Sequence, residues 1–137
     1  MPESQVSFLK PVLIFLGSGS GGLLRYWLGG VIQSWWGPIF PLGTLVVNVT
    51  GCLMMGFLAT VWTGPVLIRD EYRSAILIGV LGGYTTFSSF GRETLSLVHD
   101  GEWWRAAWYV LGSVVLSLLA VWVGAAFASK LYGTGAP

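Results

Sequence analysis

The sequence predicts an all-α membrane protein with four transmembrane helices, the third of them broken mid-membrane. Hydrophobic residues make up 54% of the 137 residues and charged residues only 9%, whereas a soluble domain carries about 25% charged residues. Long uncharged segments follow one another along the chain, and glycine and hydroxyl residues interrupt the third predicted span. These features predict helices that cross a lipid bilayer.

Charged residues and turn residues divide the chain into four spans. Uncharged tracts of 14, 43, 18 and 24 residues follow Lys10, Arg25, Arg73 and Arg105, and a spanning helix needs about 20 apolar residues. The sequence WWGPIFPLG at residues 35–43 divides the longest tract, because its prolines and glycines favour a turn. We predict one domain of residues 1–137, with spans at about residues 8–33, 42–63, 72–98 and 103–131.

Composition and spacing also exclude several function classes. A net charge of +1 excludes the strongly basic surface of a nucleic-acid-binding protein, so we expect no nucleic-acid partner. The sequence has no nucleophile–base pair, metal-ligand cluster or phosphate-binding loop with usable spacing. We therefore do not expect an enzyme.

The first span contains a glycine pair and an arginine. Gly17 and Gly21 form a GxxxG pattern, which lets helix backbones approach closely and favours helix packing. Arg25 lies about two-thirds along the span, where an arginine costs a few kcal/mol unless it reaches the interface or finds partners. Snorkelling to the interface, an anion vestibule and a tie between helices are the three interpretations of Arg25.

The second span begins with two polar residues on one helix face. Thr44 and Asn48 are four residues apart, a spacing that places side chains next to each other on a helix. A buried asparagine commonly joins two helices through hydrogen bonds. Its amide could also donate to an ion, and both interpretations stay open.

The third span is interrupted by the sequence GVLGGYTTFSSFGRE, residues 79–93. Each glycine of the Gly82–Gly83 pair weakens a helix by about 1 kcal/mol relative to alanine. The hydroxyls that follow compete with the helix for backbone hydrogen bonds; they are Thr85, Thr86, Ser88 and Ser89. Irregular backbone inside a membrane is tolerated only where protein buries it or where it lines a wet cavity. The break therefore predicts a site.

The third and fourth spans also carry aromatic and hydroxyl side chains in register. Phe87 and Phe90 share one helix face, which by default indicates core packing. In the fourth span, Tyr109, Ser113 and Ser117 follow at four-residue steps. A single serine can bond to its own helix, but three hydroxyls in register also fit a polar track.

The polar groups of the spans favour a small anion over a cation. They are almost all neutral hydrogen-bond donors, and Glu93 is the only carboxylate deep in a predicted span. An anion pathway has to replace a hydration shell without trapping the ion, which neutral donors can do. The electropositive edges of Phe87 and Phe90 could contribute as well.

The charges leave the orientation in the membrane open. One side of a four-span protein would hold four basic residues and the other roughly three: Lys10, Arg69, Arg73 and Lys130 against Arg105, Arg92 and Arg25. This difference is too small to fix one orientation. The sequence has no internal repeat that would supply an inverted symmetry within one chain. Dual insertion, with two copies paired antiparallel, fits this balance.

Four motifs together resemble the Fluc (CrcB) family of fluoride channels over essentially the whole chain. The motifs are GGLLR at residues 21–25, GTLVVN at 43–48, GGYTTFSSF at 82–90 with Glu93, and the stripe Tyr109, Ser113, Ser117. The resemblance implies a dual-topology antiparallel homodimer with two fluoride pores. It also implies a multi-pass protein of the cell inner membrane that exports fluoride passively and lowers its cytoplasmic concentration.

The resemblance further implies roles for individual residues. In the fluoride pathway it places Asn48, Phe87, Phe90, Tyr109, Ser113 and Ser117, with Thr44 close by. Arg25 would stand in a vestibule. A structural sodium ion at the dimer interface would be held by the backbone carbonyls of Gly82 and Thr85 from both subunits.

Two other functions compete with this interpretation. A proton-coupled small multidrug transporter is also a four-span antiparallel dimer, but it needs a membrane-embedded acid in its first span. The predicted first span has none, because Glu3 precedes it. In a non-transporting membrane assembly subunit, the glycines and hydroxyls would only join helices, and no ion flux would be observed.

Overall fold

The computed structural model describes residues 8–133, so both ends of the predicted 1–137 domain lie outside the described residues. These residues form helices and turns without a strand, which confirms the all-α class. Four helical spans are present: α1 (Leu9–Trp36), α2 (Leu42–Thr63), a third span in two pieces, and α5 (Trp103–Tyr132). The two pieces of the third span are α3 (residues 70–84) and α4 (Phe87–His99).

The helix ends follow local breakers rather than hydrophobicity. The first helix continues to Trp36, three residues past the expected end. It stops at Gly37, whose φ of 84° is in the region that favours glycine, and Pro38 follows. The third span begins at Asp70, where Asp70 and Glu71 occupy the first turn and interact favourably with the helix dipole.

The third span changes its helical form before it breaks. Residues Asp70–Ser74 are α-helical, Ala75–Leu81 form a π-helix and Gly82–Tyr84 are α-helical again. Thr85 and Thr86 are extended, with ψ angles of 158° and 120°. The Thr86 hydroxyl accepts the Ser89 backbone N–H at 3.1 Å and caps the start of α4. The predicted competition between hydroxyls and the helix therefore occurs in the structure.

Glycines bring α1 and α3 into backbone contact. A methyl group added at Gly17 or Gly21 would overlap the α3 backbone, so the predicted packing role of this pair is confirmed. The contact is reciprocal, because a methyl group at Gly79 or Gly83 would overlap α1. Each helix thus contributes a GxxxG pair to one close crossing.

The buried core lies between α2, α4 and α5. Val47 and Tyr109 are fully buried, and Phe90 is 8% exposed. Glycines again allow close packing, since a methyl group at Gly56 or Gly124 would overlap the backbone of the facing helix. Among the described residues, α2 and α5 are long and apolar enough to cross a membrane by length and composition.

Candidate functional site

Asn48 completes the hydrogen bonding of the break. Its side-chain Oδ1 accepts the Thr86 N–H at 2.7 Å, and its Nδ2 donates to the Thr86 carbonyl at 2.9 Å. Both polar backbone groups of Thr86 are therefore satisfied although Thr86 belongs to no helix. Asn48 joins α2 to the break and still has one amide N–H to donate.

Two backbone carbonyls at the break lose their helical partners. In a continuous helix, the Gly82 carbonyl would accept from the Thr86 N–H, and the Thr85 carbonyl would accept from the Ser89 N–H. The Thr86 N–H bonds instead to the Asn48 side chain, and the Ser89 N–H bonds to the Thr86 hydroxyl. The carbonyls of Gly82 and Thr85 are the pair expected to bind sodium, and such oxygens are the ligands that hard cations prefer.

Arg25 reaches the break from α1. Its Nη1 donates to the Thr85 carbonyl at 3.2 Å, across 60 residues of sequence. Of the three interpretations of this arginine, the structure shows the tie between helices. The guanidinium also lines a cavity, so a vestibule role is compatible with this contact.

A cavity of about 320 Å³, here called the inner cavity, lies beside the break. Most of the residues expected in the pathway line it, and none of its lining residues is charged: Asn48, Cys52, Thr85, Thr86, Phe87, Phe90, Ser113, Val114, Ser117 and Leu118. Ser113 is 6% exposed, and its Oγ has no hydrogen-bond partner among the described residues. A buried hydroxyl without a partner is costly, so the inner cavity suits an acceptor at this position.

The three hydroxyls of the α5 stripe (Tyr109, Ser113 and Ser117) contact two different parts of the structure. Ser113 and Ser117 line the inner cavity, whereas the fully buried Tyr109 donates its hydroxyl to Glu93 Oε2 at 2.6 Å. Thr44 donates to the other oxygen, Glu93 Oε1, at 2.8 Å. Thr44 and Tyr109 therefore meet at Glu93, outside the lining of the inner cavity.

Four aromatic rings form a continuous series from the α1–α2 turn to the break. The ring centroids are 5.4 Å apart for Phe40 and Tyr109, 5.2 Å for Tyr109 and Phe90, and 5.3 Å for Phe90 and Phe87. Such separations are typical of favourable aromatic pairs. The series ends at Phe87, which is 82% exposed.

A second cavity, here called the outer cavity, has a volume of about 400 Å³ and carries charge. Arg25, Thr44 and Glu93 line it, and it shares Thr86 with the inner cavity. The paired Asn48 and Thr86 therefore separate an outer space that holds an arginine from an inner space without charge. A third cavity of about 270 Å³ near the α1–α2 turn shares Glu93 with the outer cavity.

Gln33 fixes the turn at that end. Its Nε2 donates to the Phe40 carbonyl at 3.0 Å, and its Oε1 accepts the Gly43 N–H at 3.1 Å. These bonds hold the start of α2, the helix that presents Thr44 and Asn48. Gln33 thus positions two of the expected site residues.

The largest cavity described, about 550 Å³ between α1, α2 and α3, is almost entirely apolar. Its two hydroxyls, on Thr50 and Tyr84, lie 2.9 Å apart and bond to each other. Thr50 also donates to the Val46 carbonyl at 2.7 Å, so Tyr84 is the donor to Thr50 and neither hydroxyl has a free O–H for an ion. We therefore place the candidate site at the break.

The sequence did not single out several residues of this site. Glu93 had a signal, as a carboxylate within an apolar span, but was not predicted as a site residue. Phe40 and Gln33 carry no such signal, because their roles depend on the fold of the α1–α2 turn. Cys52 lines the inner cavity one helical turn after Asn48, a position that spacing could have indicated.

Comparison with known proteins gives one family. The pattern of the family described as "CrcB-like protein, Camphor Resistance (CrcB)" matches residues 12–125. A relative from Methylococcus capsulatus, named "Fluoride-specific ion channel FluC", is 48% identical over 118 residues, which cover 86% of this chain and 52% of the relative. This chain thus spans about half the length of that relative.

Two further relatives with the same name match over nearly their whole length. The Paramagnetospirillum magneticum protein is 48% identical over 118 residues, or 85% of this chain and 92% of the relative. The Solibacter usitatus protein is 48% identical over 122 residues, or 89% of this chain and 100% of the relative. These relatives are named as ion channels and not as enzymes. Since the family pattern and these identities cover most of the sequence, the chain is a membrane protein that belongs to the CrcB family.

Proposed function

We propose that this chain forms a fluoride-selective ion channel that exports fluoride passively and so lowers its cytoplasmic concentration and toxicity. The names of the relatives support this function. The observation that carries it is the inner cavity, which has an unpartnered hydroxyl at Ser113 and no charged lining residue.

The chemistry of this lining suits a small, strongly hydrated anion. Hydroxyls at Ser113 and Ser117 and the remaining N–H of Asn48 can replace water as donors. The ring edges of Phe87 and Phe90 add positive potential without a formal charge. The lining has no charged side chain that would hold the anion in one deep well, and Arg25 lines the outer cavity instead.

We further propose that two copies pair antiparallel, with dual topology, and form two pores per homodimer. Phe87 lines the inner cavity yet is 82% exposed in one protomer, so a second copy would cover it and close the cavity. The near balance of basic residues supports insertion in both orientations.

A sodium ion bound between the two copies fits this arrangement. The carbonyls of Gly82 and Thr85 supply two oxygens per protomer, fewer than the roughly six ligands that a hard cation takes. A second copy would double that number. The ion would have a structural role, neutralising the dipoles of two carbonyls that the break leaves without helical N–H partners.

The protein would cross the cell inner membrane several times, with lipid against its many exposed apolar side chains. A small multidrug-type transporter is less well supported, since α1 has no acidic residue and the relatives are named as channels. An assembly subunit without transport conflicts with the same names.

Anion efflux from liposomes tests the function. Fluoride and chloride loss are followed separately, with a potassium ionophore to clamp the voltage, and we expect fast fluoride loss with little chloride loss. Ser113→Ala should slow fluoride loss. Ser129→Ala is the matched control, because Ser129 is an equally buried, unpartnered serine of α5 that does not line the inner cavity. Absent or unselective flux from a well-folded protein would refute the proposal.

A further inference from the structure

The guanidinium of Arg25 donates a hydrogen bond to one of the two carbonyls proposed to bind the cation. Its Nη1 is 3.2 Å from the Thr85 oxygen, and the usual helical donor to that oxygen, the Ser89 N–H, bonds to the Thr86 hydroxyl instead. A carbonyl oxygen has two lone pairs. Arg25 uses one of them and leaves the other for a second positive partner.

The two positive partners would lie close together. Charges of the same sign that share one oxygen repel strongly where little water screens them. Arg25 is part-buried at this contact, so screening is incomplete. The arginine therefore weakens the attraction of the Thr85 carbonyl for any other cation.

We propose that Arg25 sets the cation affinity of the helix break by sharing the Thr85 carbonyl with the bound ion. This inference rests on the proposed sodium site and concerns its regulation. Arg25 also lines the outer cavity, so an anion there pairs with the same guanidinium and offsets its charge. An anion in the outer cavity then strengthens cation binding at the break, and a cation at the break strengthens anion binding in the outer cavity.

Thermal unfolding of the purified full-length protein, titrated with sodium, measures this affinity without measuring flux. N-methyl-D-glucamine chloride keeps the ionic strength constant, and sodium that binds the folded state raises the unfolding temperature. In Arg25→Gln, the sodium concentration at which the unfolding temperature begins to rise should fall by about tenfold or more. Arg25→Lys keeps the charge and should stay closer to the wild-type value.

Arg92→Gln is the matched control. It removes the same charge from an exposed residue of α4 that makes no side-chain hydrogen bond or ion pair within residues 8–133. Its sodium titration should match that of the wild type. An equal gain of affinity in Arg92→Gln would mean a general effect of net charge and would overturn the role of the shared carbonyl.

The coupling can also be tested in the unaltered protein, in case Arg25→Gln does not fold. Adding fluoride should lower the sodium concentration at which the unfolding temperature begins to rise, because linkage between two sites is reciprocal. The same concentration of chloride should change it less. No fluoride effect, or an Arg25→Gln protein that needs as much sodium as the wild type, contradicts the inference. A wild-type protein that conducts fluoride but shows no sodium-dependent shift removes the cation site itself, and the inference with it, while leaving the channel function intact.

Discussion

At the scale of single residues, the Glu93 carboxylate accepts hydrogen bonds from hydroxyls on two helices. Thr44 of α2 and Tyr109 of α5 each bond one carboxylate oxygen, so this carboxylate holds the core of the bundle together. Glu93 also separates the outer cavity from the smaller cavity at the α1–α2 turn.

Loss of the tyrosine hydroxyl should therefore destabilise the fold. Tyr109→Phe keeps the ring contacts with Phe40 and Phe90 but removes the donor to Glu93, and we expect a loss of about 1–3 kcal/mol in the free energy of unfolding. Unfolding by sodium dodecyl sulfate in mixed micelles measures it. Tyr132→Phe, at an exposed position, should be neutral; equal stability of the two variants would contradict the importance of the bond.

The amide of Asn48 should be needed for both the break and the ion. Asn48→Asp can still accept the Thr86 N–H, but it cannot donate to the Thr86 carbonyl, and it adds negative charge beside the inner cavity. We expect fluoride efflux to fall by at least about tenfold, because like charges repel in a poorly screened site. Efflux at the wild-type rate from this variant would place Asn48 outside the pathway.

At the scale of the elements, the close crossing of α1 and α3 controls the position of Arg25. The glycine pairs bring the two backbones together, and Arg25 follows Gly21 by one helical turn. Because the arginine reaches the break from this crossing, the spacing of the two helices decides whether the Thr85 contact can form.

A methyl group at this crossing should separate the helices. In Gly21→Ala, the new Cβ would overlap the Val80 backbone, and overpacking of this kind costs about 1–3 kcal/mol. Gly22→Ala is the control, since no atom lies within 4 Å of a Cβ placed there. Thermal unfolding of the two variants compares them, and a similar effect of both would show that the crossing is not tight.

The elements show what local sequence can predict. The break was predicted from its glycines and hydroxyls, and it lies at Thr85 and Thr86, just after the glycines. Gly83 is helical and packs against the Ser18 backbone of α1, where a Cβ would overlap. The π-helix was not predicted, because the segment AILIGVL at residues 75–81 is uniformly apolar and its pattern does not distinguish one helical register from another.

The sequence indicated which polar side chains share a helix face, but not which partners they bind. Helix periodicity places Ser113, Ser117 and Tyr109 on one face, but it does not tell which hydroxyl turns to a cavity and which to a carboxylate. The Tyr109–Glu93 bond depends on how α4 and α5 pack. Arg25 was likewise recognised as unusual, whereas its partner, the Thr85 carbonyl, depends on the fold.

At the scale of the whole molecule, one protomer leaves its candidate pathway open at Phe87. This large aromatic side chain is 82% exposed beside a cavity, and in the proposed dimer a second copy would cover it. The dimer and the pathway are thus proposed to share this residue.

Phe87→Ile separates the two contributions. Isoleucine keeps an apolar surface for association but lacks the electropositive ring edge, so we expect fluoride efflux to fall by about tenfold or more while the dimer persists in size-exclusion chromatography. Leu95→Ile, on an exposed position of α4 that lines no described cavity, should conduct normally. Dissociation of Phe87→Ile into monomers would assign this ring to assembly instead.

Asn48 stabilises the break through hydrogen bonds that the backbone angles of Thr85 and Thr86 do not reveal. Its carboxamide has the same donor and acceptor as a peptide bond and meets Thr86 face to face. The side chain of one helix thus takes the place of a peptide unit for another and satisfies both polar backbone groups of Thr86. The interruption is therefore a fixed part of the architecture, held by hydrogen bonds from α2, rather than a weak point at which the helix opens and closes.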